Sequence, residues 1–180
     1  MAGLRRDRGS FLAAVFFAFG TMCGILTGKC ASAAMAASTV ERTVGFFGDS
    51  ILASGILAAM AAPLLLLLLS MTLFGAFLIL PCVMLAGGAV GWTLCCFLRC
   101  GIPEAVIDPM LLCALLPQVP CLILIAASCM RLSASLRTMV TGGLRRPDLS
   151  AELLTMAAAF FVKLMTALLF AMLLRRQGTL

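Results

Sequence analysis

Two carboxylates are the first candidates for chemistry in this chain. Glu104 and Asp108 are four residues apart in the stretch GIPEAVIDP, beside Pro103 and Pro109. A carboxylate pair at a membrane edge can hold a metal ion or transfer protons. The sequence contains no histidine to act as a base, and such a pair without converging site groups is more often part of a solvated loop. We therefore predict no catalytic residue, no metal, no cofactor and no enzymatic activity.

One lysine lies within an apolar run, where a charged side chain is costly. Lys163 is in the middle of the stretch AFFVKLMTALLF. A cation inside a membrane needs a carboxylate, a carbonyl or water, and the candidates are Glu104, Asp108 and the carbonyls next to Pro117 and Pro120. Because no second ionisable residue lies in the middle of an apolar segment, we interpret Lys163 as one structural contact between helices. A polar pathway is the alternative.

The stretch ALLPQVPCLIL places two prolines and a glutamine in an apolar segment. Pro117 and Pro120 lack a backbone N–H, so each leaves a carbonyl unpaired and bends a helix. The amide of Gln118 can bond to a freed carbonyl or to another helix. The pattern predicts a fixed polar joint. Such a joint would set helix geometry in a scaffold or line a site in a transporter, and the residues leave both open.

Glycines recur at helical spacing in two places. Gly20, Gly24 and Gly28 are four apart in GTMCGILTG, and Gly87 and Gly91 are four apart in GGAVG. Small residues at this spacing let helix backbones approach closely. This contact matters in a membrane, because the hydrophobic effect does not drive helices together in lipid. We interpret them as general helix-packing faces. A dedicated face for a homo-oligomer is the alternative.

The composition determines the class of protein that must position these residues. Hydrophobic residues make up 63% of the 180 residues, charged residues make up 11%, and the mean hydropathy is +1.18. A soluble domain of this size covers its surface with charge, which this chain cannot do. We predict an all-α, polytopic integral membrane bundle in contact with membrane lipid.

Charge and cysteine usage fit the same class. The net charge is +6, but the arginines flank apolar runs, and basic residues are not interleaved with aromatic ones as single-stranded nucleic acid requires. We therefore predict no nucleic-acid partner. Most of the nine cysteines lie inside apolar runs and form no Cys-x-x-Cys pair, so we interpret them as small hydrophobic residues.

Five apolar segments are long enough to cross a membrane, for which about 17–25 residues are needed. They cover residues 11–27, 51–70, 72–98, 109–130 and 153–174. The first resembles a signal peptide but is long for its apolar region, so we expect an uncleaved helix. The fourth contains the prolines and is expected to be broken. Arg5, Arg6 and Arg8 flank the first segment, which predicts a cytoplasmic N-terminus and an extracytoplasmic C-terminus.

Residues 131–152 are predicted to form a loop with a short basic amphipathic stretch at the membrane surface. Its apolar residues recur on one helical face, with Arg131 and Arg137 off that face. An ordinary positive-inside loop is an equal alternative. The apolar positions are Leu132, Leu136, Met139 and Val140.

Four short stretches also match the pattern of one known family. The first stretch is FFAFGTMCG, which contains Gly20 and Gly24. The second is FGAFLILPCVMLAGGAVGWTLCCFL, which contains Gly75, then Gly87 or Gly88, then Gly91. The third is the motif Leu116, Pro117, Gln118, and the fourth is the stretch from Ser133 to Arg137 that follows the predicted fourth helix. In these stretches the chain resembles the stage II sporulation protein M family over about residues 11–137.

The resemblance implies a non-enzymatic membrane scaffold in endospore formation. Members of the family act in engulfment and anchor peptidoglycan-remodelling partners, stage II sporulation proteins D and P, in the septal and mother-cell membrane. Compared with the family, the predicted first extracytoplasmic loop over residues 28–50 looks short. A different class remains the alternative: a small membrane transporter or transporter subunit that uses the broken fourth helix and Lys163.

Overall fold

A computed structural model shows six α-helices within the part of the chain that it describes. The structure describes residues 2–48, 54–72, 74–100, 116–141 and 149–176, and within these ranges it contains no strand. The all-α prediction is therefore confirmed for the described residues. The helices are α1 (Ala2–Cys30), α2 (Ala33–Gly48), α3 (Ser54–Ser70), α4 (Gly75–Arg99), α5 (Leu116–Val140) and α6 (Leu149–Arg176).

Three helices are long and apolar enough to cross a membrane within the described part of the chain. The candidate spans are Arg8–Cys30 in α1, Phe77–Arg99 in α4 and Pro117–Val140 in α5. Many large apolar side chains point outward from them, such as Phe11 and Leu85, which are 69% and 72% exposed. A surface of this kind is stable in lipid rather than in water. The chain is therefore a membrane-associated helical protein.

α1 and α4 make the most extensive contact between any two helices. They run parallel, because Gly20 lies against Met84 while Gly28, further along α1, lies against Cys95. The chain must return between two parallel helices, and α2 and α3 lie in that return. A short turn after Ser70 then leads into α4.

α5 runs opposite to α1 and α4, and α6 runs opposite to α5. Gly9, near the start of α1, lies against Met130 of α5. The Ser133 hydroxyl donates a 3.2 Å hydrogen bond to the Thr72 carbonyl, just before α4. The Arg131 side chain reaches Glu152, near the start of α6. We call the end of the bundle at which α1, α4 and α6 begin the lower end.

A single core cluster joins five of the helices. Its members are buried on the faces that α1, α3, α4, α5 and α6 turn toward one another. Ile79, Val83 and Ile125 are fully enclosed, with an exposed fraction of 0%. Close packing of this kind holds the relative positions of α5 and α6, on which the candidate site depends.

The predicted loop over residues 28–50 contains a helix, and the predicted amphipathic stretch over residues 131–152 is helical where the structure describes it. The predicted loop over residues 28–50 contains α2, whose Ala36 is buried and whose Thr39 hydroxyl accepts a 3.3 Å hydrogen bond from Trp92 Nε1 on α4. The predicted loop over residues 131–152 is occupied by the last part of α5 and the start of α6. Leu132 and Ser133 are buried there, so tertiary contacts continue the helix beyond the apolar run. Hydropathy alone does not register such contacts.

Candidate functional site

The glycines singled out in the sequence lie at the interface between α1 and α4. A Cβ atom at Gly20 or Gly24 would overlap the backbone carbonyl of Met84 or Gly88. Conversely, a Cβ atom at Gly87 or Gly91 would overlap a backbone carbonyl of α1. The two glycine series therefore pack against the opposite helix of the same chain, backbone against backbone, as close approach requires.

Pro117 and Gln118 lie at the start of the described part of α5, which covers Leu116–Val140. Pro120 follows, and α5 continues through it to Val140. Gln118 is half-buried and Pro120 is exposed. Residues 101–115 lie outside the described ranges, so the mid-span break stays a prediction.

Lys163 lies on α6 with only 6% of its surface exposed. Cys121 on α5 lies close to it. Lys163 follows Glu152 by 11 residues. That places it about 16 Å further along α6, in the middle of the apolar run over residues 153–174. Its predicted partners Glu104 and Asp108 lie outside the described residues.

An ion pair joins α5 and α6 at the lower end of the bundle. Arg131 Nε donates to Glu152 Oε1 over 2.8 Å, and Arg131 Nη2 donates to Ser128 Oγ over 3.0 Å. The side chains of Arg131 and Glu152 are 22% and 21% exposed. Two further atoms, Arg131 Nη1 and Glu152 Oε2, are enclosed without a hydrogen-bond partner among the described residues. The pair thus holds one unused donor and one unused acceptor.

From the sequence, Arg131 is interpreted only as a loop charge, so its pair with Glu152 is not predicted. A signal was available: an arginine at the end of one apolar segment and a glutamate at the start of the next meet if the two helices are antiparallel. Because Arg131 was assigned to a loop, the side chain had no defined position and the pairing could not be predicted.

A groove runs along the contact between α5 and α6, and the α6 residues that line it lie between Glu152 and Lys163 along the helix. Its volume is about 400 Å³. It is open on the side, since Leu124 and Leu154 on its walls are 43% and 73% exposed. We call it the α5–α6 groove. It is lined by Cys121, Leu124, Leu154, Thr155, Ala158, Ala159 and Val162.

Arg99 closes the opposite end of the α1–α4 interface. Its Nη1 donates to the carbonyls of Gly28, Lys29 and Ala31, over 2.9, 3.2 and 2.7 Å. Carbonyls at the end of a helix have no partner within it, and they carry partial negative charge that a cation stabilises. Arg99 therefore caps α1 from α4.

We expect Arg99→Met to loosen the end of α1, because three carbonyls lose one charged donor. The melting temperature in detergent should fall by about 2–4 °C, the size of effect expected for loss of a surface cap. Arg99→Lys retains the charge but not the planar guanidinium, and its melting temperature should lie between those of the wild type and Arg99→Met. Circular dichroism during heating measures this. An unchanged melting temperature for Arg99→Met would show that Arg99 does not contribute to capping.

Neither metal-binding clusters nor known relatives point to a chemistry for this chain. Within the described residues, no group of three or more His, Cys, Asp or Glu side chains is placed to hold a metal ion. Comparison with protein-family models, with curated proteins and with solved structures found no match. The α5–α6 groove, with Lys163 and the Arg131–Glu152 pair, is therefore the candidate site on its geometry alone.

Proposed function

We propose that this protein is a non-enzymatic membrane scaffold. The observation that supports this is the α1–α4 interface, where glycines on both helices bring backbone against backbone. Such an interface leaves no side-chain layer over which the helices can slide, so it suits a rigid frame. A transporter that alternates its access must instead move one group of helices against another.

We further propose that the scaffold acts in endospore formation and localises peptidoglycan-remodelling proteins at the septal and engulfing membrane. This step rests on the resemblance to the stage II sporulation protein M family in its glycine pattern and in Leu116, Pro117 and Gln118. By that resemblance the partners are stage II sporulation proteins D and P, which carry the cell-wall chemistry.

The test is deletion of the gene in the source organism, followed by membrane-dye microscopy under conditions that induce sporulation. We expect the septum to form and the mother-cell membrane to stop before it encloses the forespore. Re-expression of the wild-type chain should restore engulfment. Normal engulfment without the protein would refute the sporulation role but leave the rigid bundle intact.

We also propose five membrane passes, with a cytoplasmic N-terminus and an extracytoplasmic C-terminus. α1, α4 and α6 would cross in one direction, and α3 and α5 in the other. α2 has 16 residues and spans about 24 Å, which is less than a hydrocarbon core of about 30 Å, so it adds no pass. Arg8 and Arg131 lie toward the lower end, which the positive-inside rule assigns to the cytoplasm.

Cysteine labelling tests this topology. In a chain in which Cys30 and Cys100 are replaced by serine, a new cysteine at position 178 should react with a membrane-impermeant maleimide in intact cells. A new cysteine at position 4 should react only after permeabilisation, and it serves as the control. The reverse pattern would contradict the proposed orientation.

A small transporter is the second candidate, and the buried Lys163 beside the α5–α6 groove favours it. Gln118→Leu and Lys163→Met separate the two functions. For a scaffold, Gln118→Leu should lower protein abundance or displace the protein from the septum, and Lys163→Met should have a milder effect. For a transporter, both variants should keep wild-type abundance and placement while function is lost. Quantitative blotting with fluorescence localisation distinguishes these patterns.

A further inference from the structure

The unused hydrogen-bonding atoms of the Arg131–Glu152 pair call for a ligand that both donates and accepts. Arg131 Nη1 has a hydrogen to donate, and Glu152 Oε2 has lone pairs to accept one. Enclosed polar atoms without partners are costly, and the cost is greater for charged groups. A single ligand that satisfies both atoms must combine an acceptor with an N–H or O–H donor, and the charges of the pair favour an anionic acceptor and a cationic donor.

The position of the pair indicates where such a ligand comes from. Arg131 directly follows the apolar run of α5, and Glu152 directly precedes the apolar run of α6. Their side chains keep about a fifth of their surface exposed, with values of 22% and 21%. The polar headgroup of a phospholipid occupies this level of a membrane.

The α5–α6 groove begins on α6 within one turn of Glu152, at Leu154 and Thr155, and extends into the apolar part of the bundle. Glu152, Thr155 and Ala159 follow one another at spacings of three and four on α6, so they lie on one face of the helix. The groove residues Leu154 to Val162 extend over about 12 Å of helix. The groove has a volume of about 400 Å³ and is open to the side, as an acyl chain requires.

We propose that the α5–α6 groove binds one phospholipid with an ethanolamine headgroup. The phosphate accepts a hydrogen bond from Arg131, the ammonium donates one to Glu152, and an acyl chain lies along the groove. A choline headgroup carries no N–H and cannot donate to Glu152. A phosphatidylglycerol headgroup carries no cation to pair with the carboxylate, and the neutral ion pair has no net charge to attract it.

Native mass spectrometry of the full chain in detergent tests the proposal, with three lipids that share acyl chains and differ in headgroup. We expect one ethanolamine lipid per chain, held about tenfold more tightly than the choline lipid, which is the effect of one charge-assisted hydrogen bond. The glycerol lipid should bind like the choline lipid. Equal retention of all three would mean that water satisfies these atoms and would overturn the proposal.

Glu152→Gln gives the headgroup test its sharpest form. The amide retains an acceptor but loses the negative charge, so the positive charge of Arg131 is no longer neutralised. We expect the preference for ethanolamine to disappear and the anionic glycerol lipid to become the tightest bound of the three. Size-exclusion chromatography selects the folded fraction before measurement. A retained ethanolamine preference in the folded variant would overturn the assignment of Glu152.

A matched pair of variants tests the groove without touching the ion pair. Ala158 lines the groove and the adjacent Ala157 does not, and both alanines are exposed. Ala158→Leu should lower retention of the ethanolamine lipid about tenfold by filling the groove, and Ala157→Leu should leave it unchanged. Equal retention in the two variants would show that the lipid does not lie in the groove.

Discussion

Replacing Gly87 with alanine should destroy the folded bundle, and the same change at Gly88 should be tolerated. A Cβ at Gly87 would overlap the Phe17 carbonyl and would lie 3.2 Å from the backbone nitrogen of Thr21. Both are backbone atoms, so no side-chain rotation relieves the overlap and the helices must separate. A Cβ at Gly88 would lie 3.6 Å from the Gly20 carbonyl, an ordinary contact.

The two variants should differ greatly in stability, because overpacking dominates at Gly87 whereas helix propensity dominates at Gly88. Gly87→Ala should lower the free energy of unfolding by about 3 kcal/mol or more, at or above the upper end of overpacking effects. Gly88→Ala should be neutral or raise it by up to about 1 kcal/mol, since alanine favours helix more than glycine does. Unfolding in detergent by titration with a denaturing surfactant measures both. Equal stability of the two variants would contradict the parallel backbone contact of α1 and α4.

Removing Glu152 should be the second most damaging change, because it leaves Arg131 charged and partly buried. Loss of one partner of a buried ion pair costs about 3–5 kcal/mol, and the partial exposure of Arg131 reduces this to about 2–3 kcal/mol. We expect Glu152→Ala to lower the free energy of unfolding by that amount. Arg131→Met alone should cost less, because the remaining carboxylate is nearer the start of α6, where the helix dipole stabilises it.

The double variant Arg131→Met with Glu152→Leu separates pairing from packing. Replacing both charges by apolar residues of similar volume removes the uncompensated charge, so much of the stability lost in Glu152→Ala should return. The same surfactant titration applies, with Glu41→Ala as the control for loss of an exposed carboxylate far from the pair. A double variant no more stable than Glu152→Ala would mean that the two side chains are not energetically coupled.

The sequence by itself determined the helical membrane class and several of its contact faces. The long apolar runs in α1, α4 and α5 suffice for this, because an unbroken run must satisfy its backbone groups within a helix when it enters lipid. The four-residue spacing of Gly20 and Gly24 likewise predicted a helix-packing face. Spacing is local information, and so it identifies a face without its partner.

Only the tertiary structure decided which surfaces meet. It matched Gly24 on α1 with Gly88 on α4 across a parallel interface, which requires a return through α2 that hydropathy did not register. It also extended α5 beyond Met130, and only then did Arg131 acquire a fixed position beside Glu152. Both outcomes depend on contacts between residues far apart in the chain. The free energy that selects them comes from packing and charge pairing between helices, and no local pattern of residues contains it.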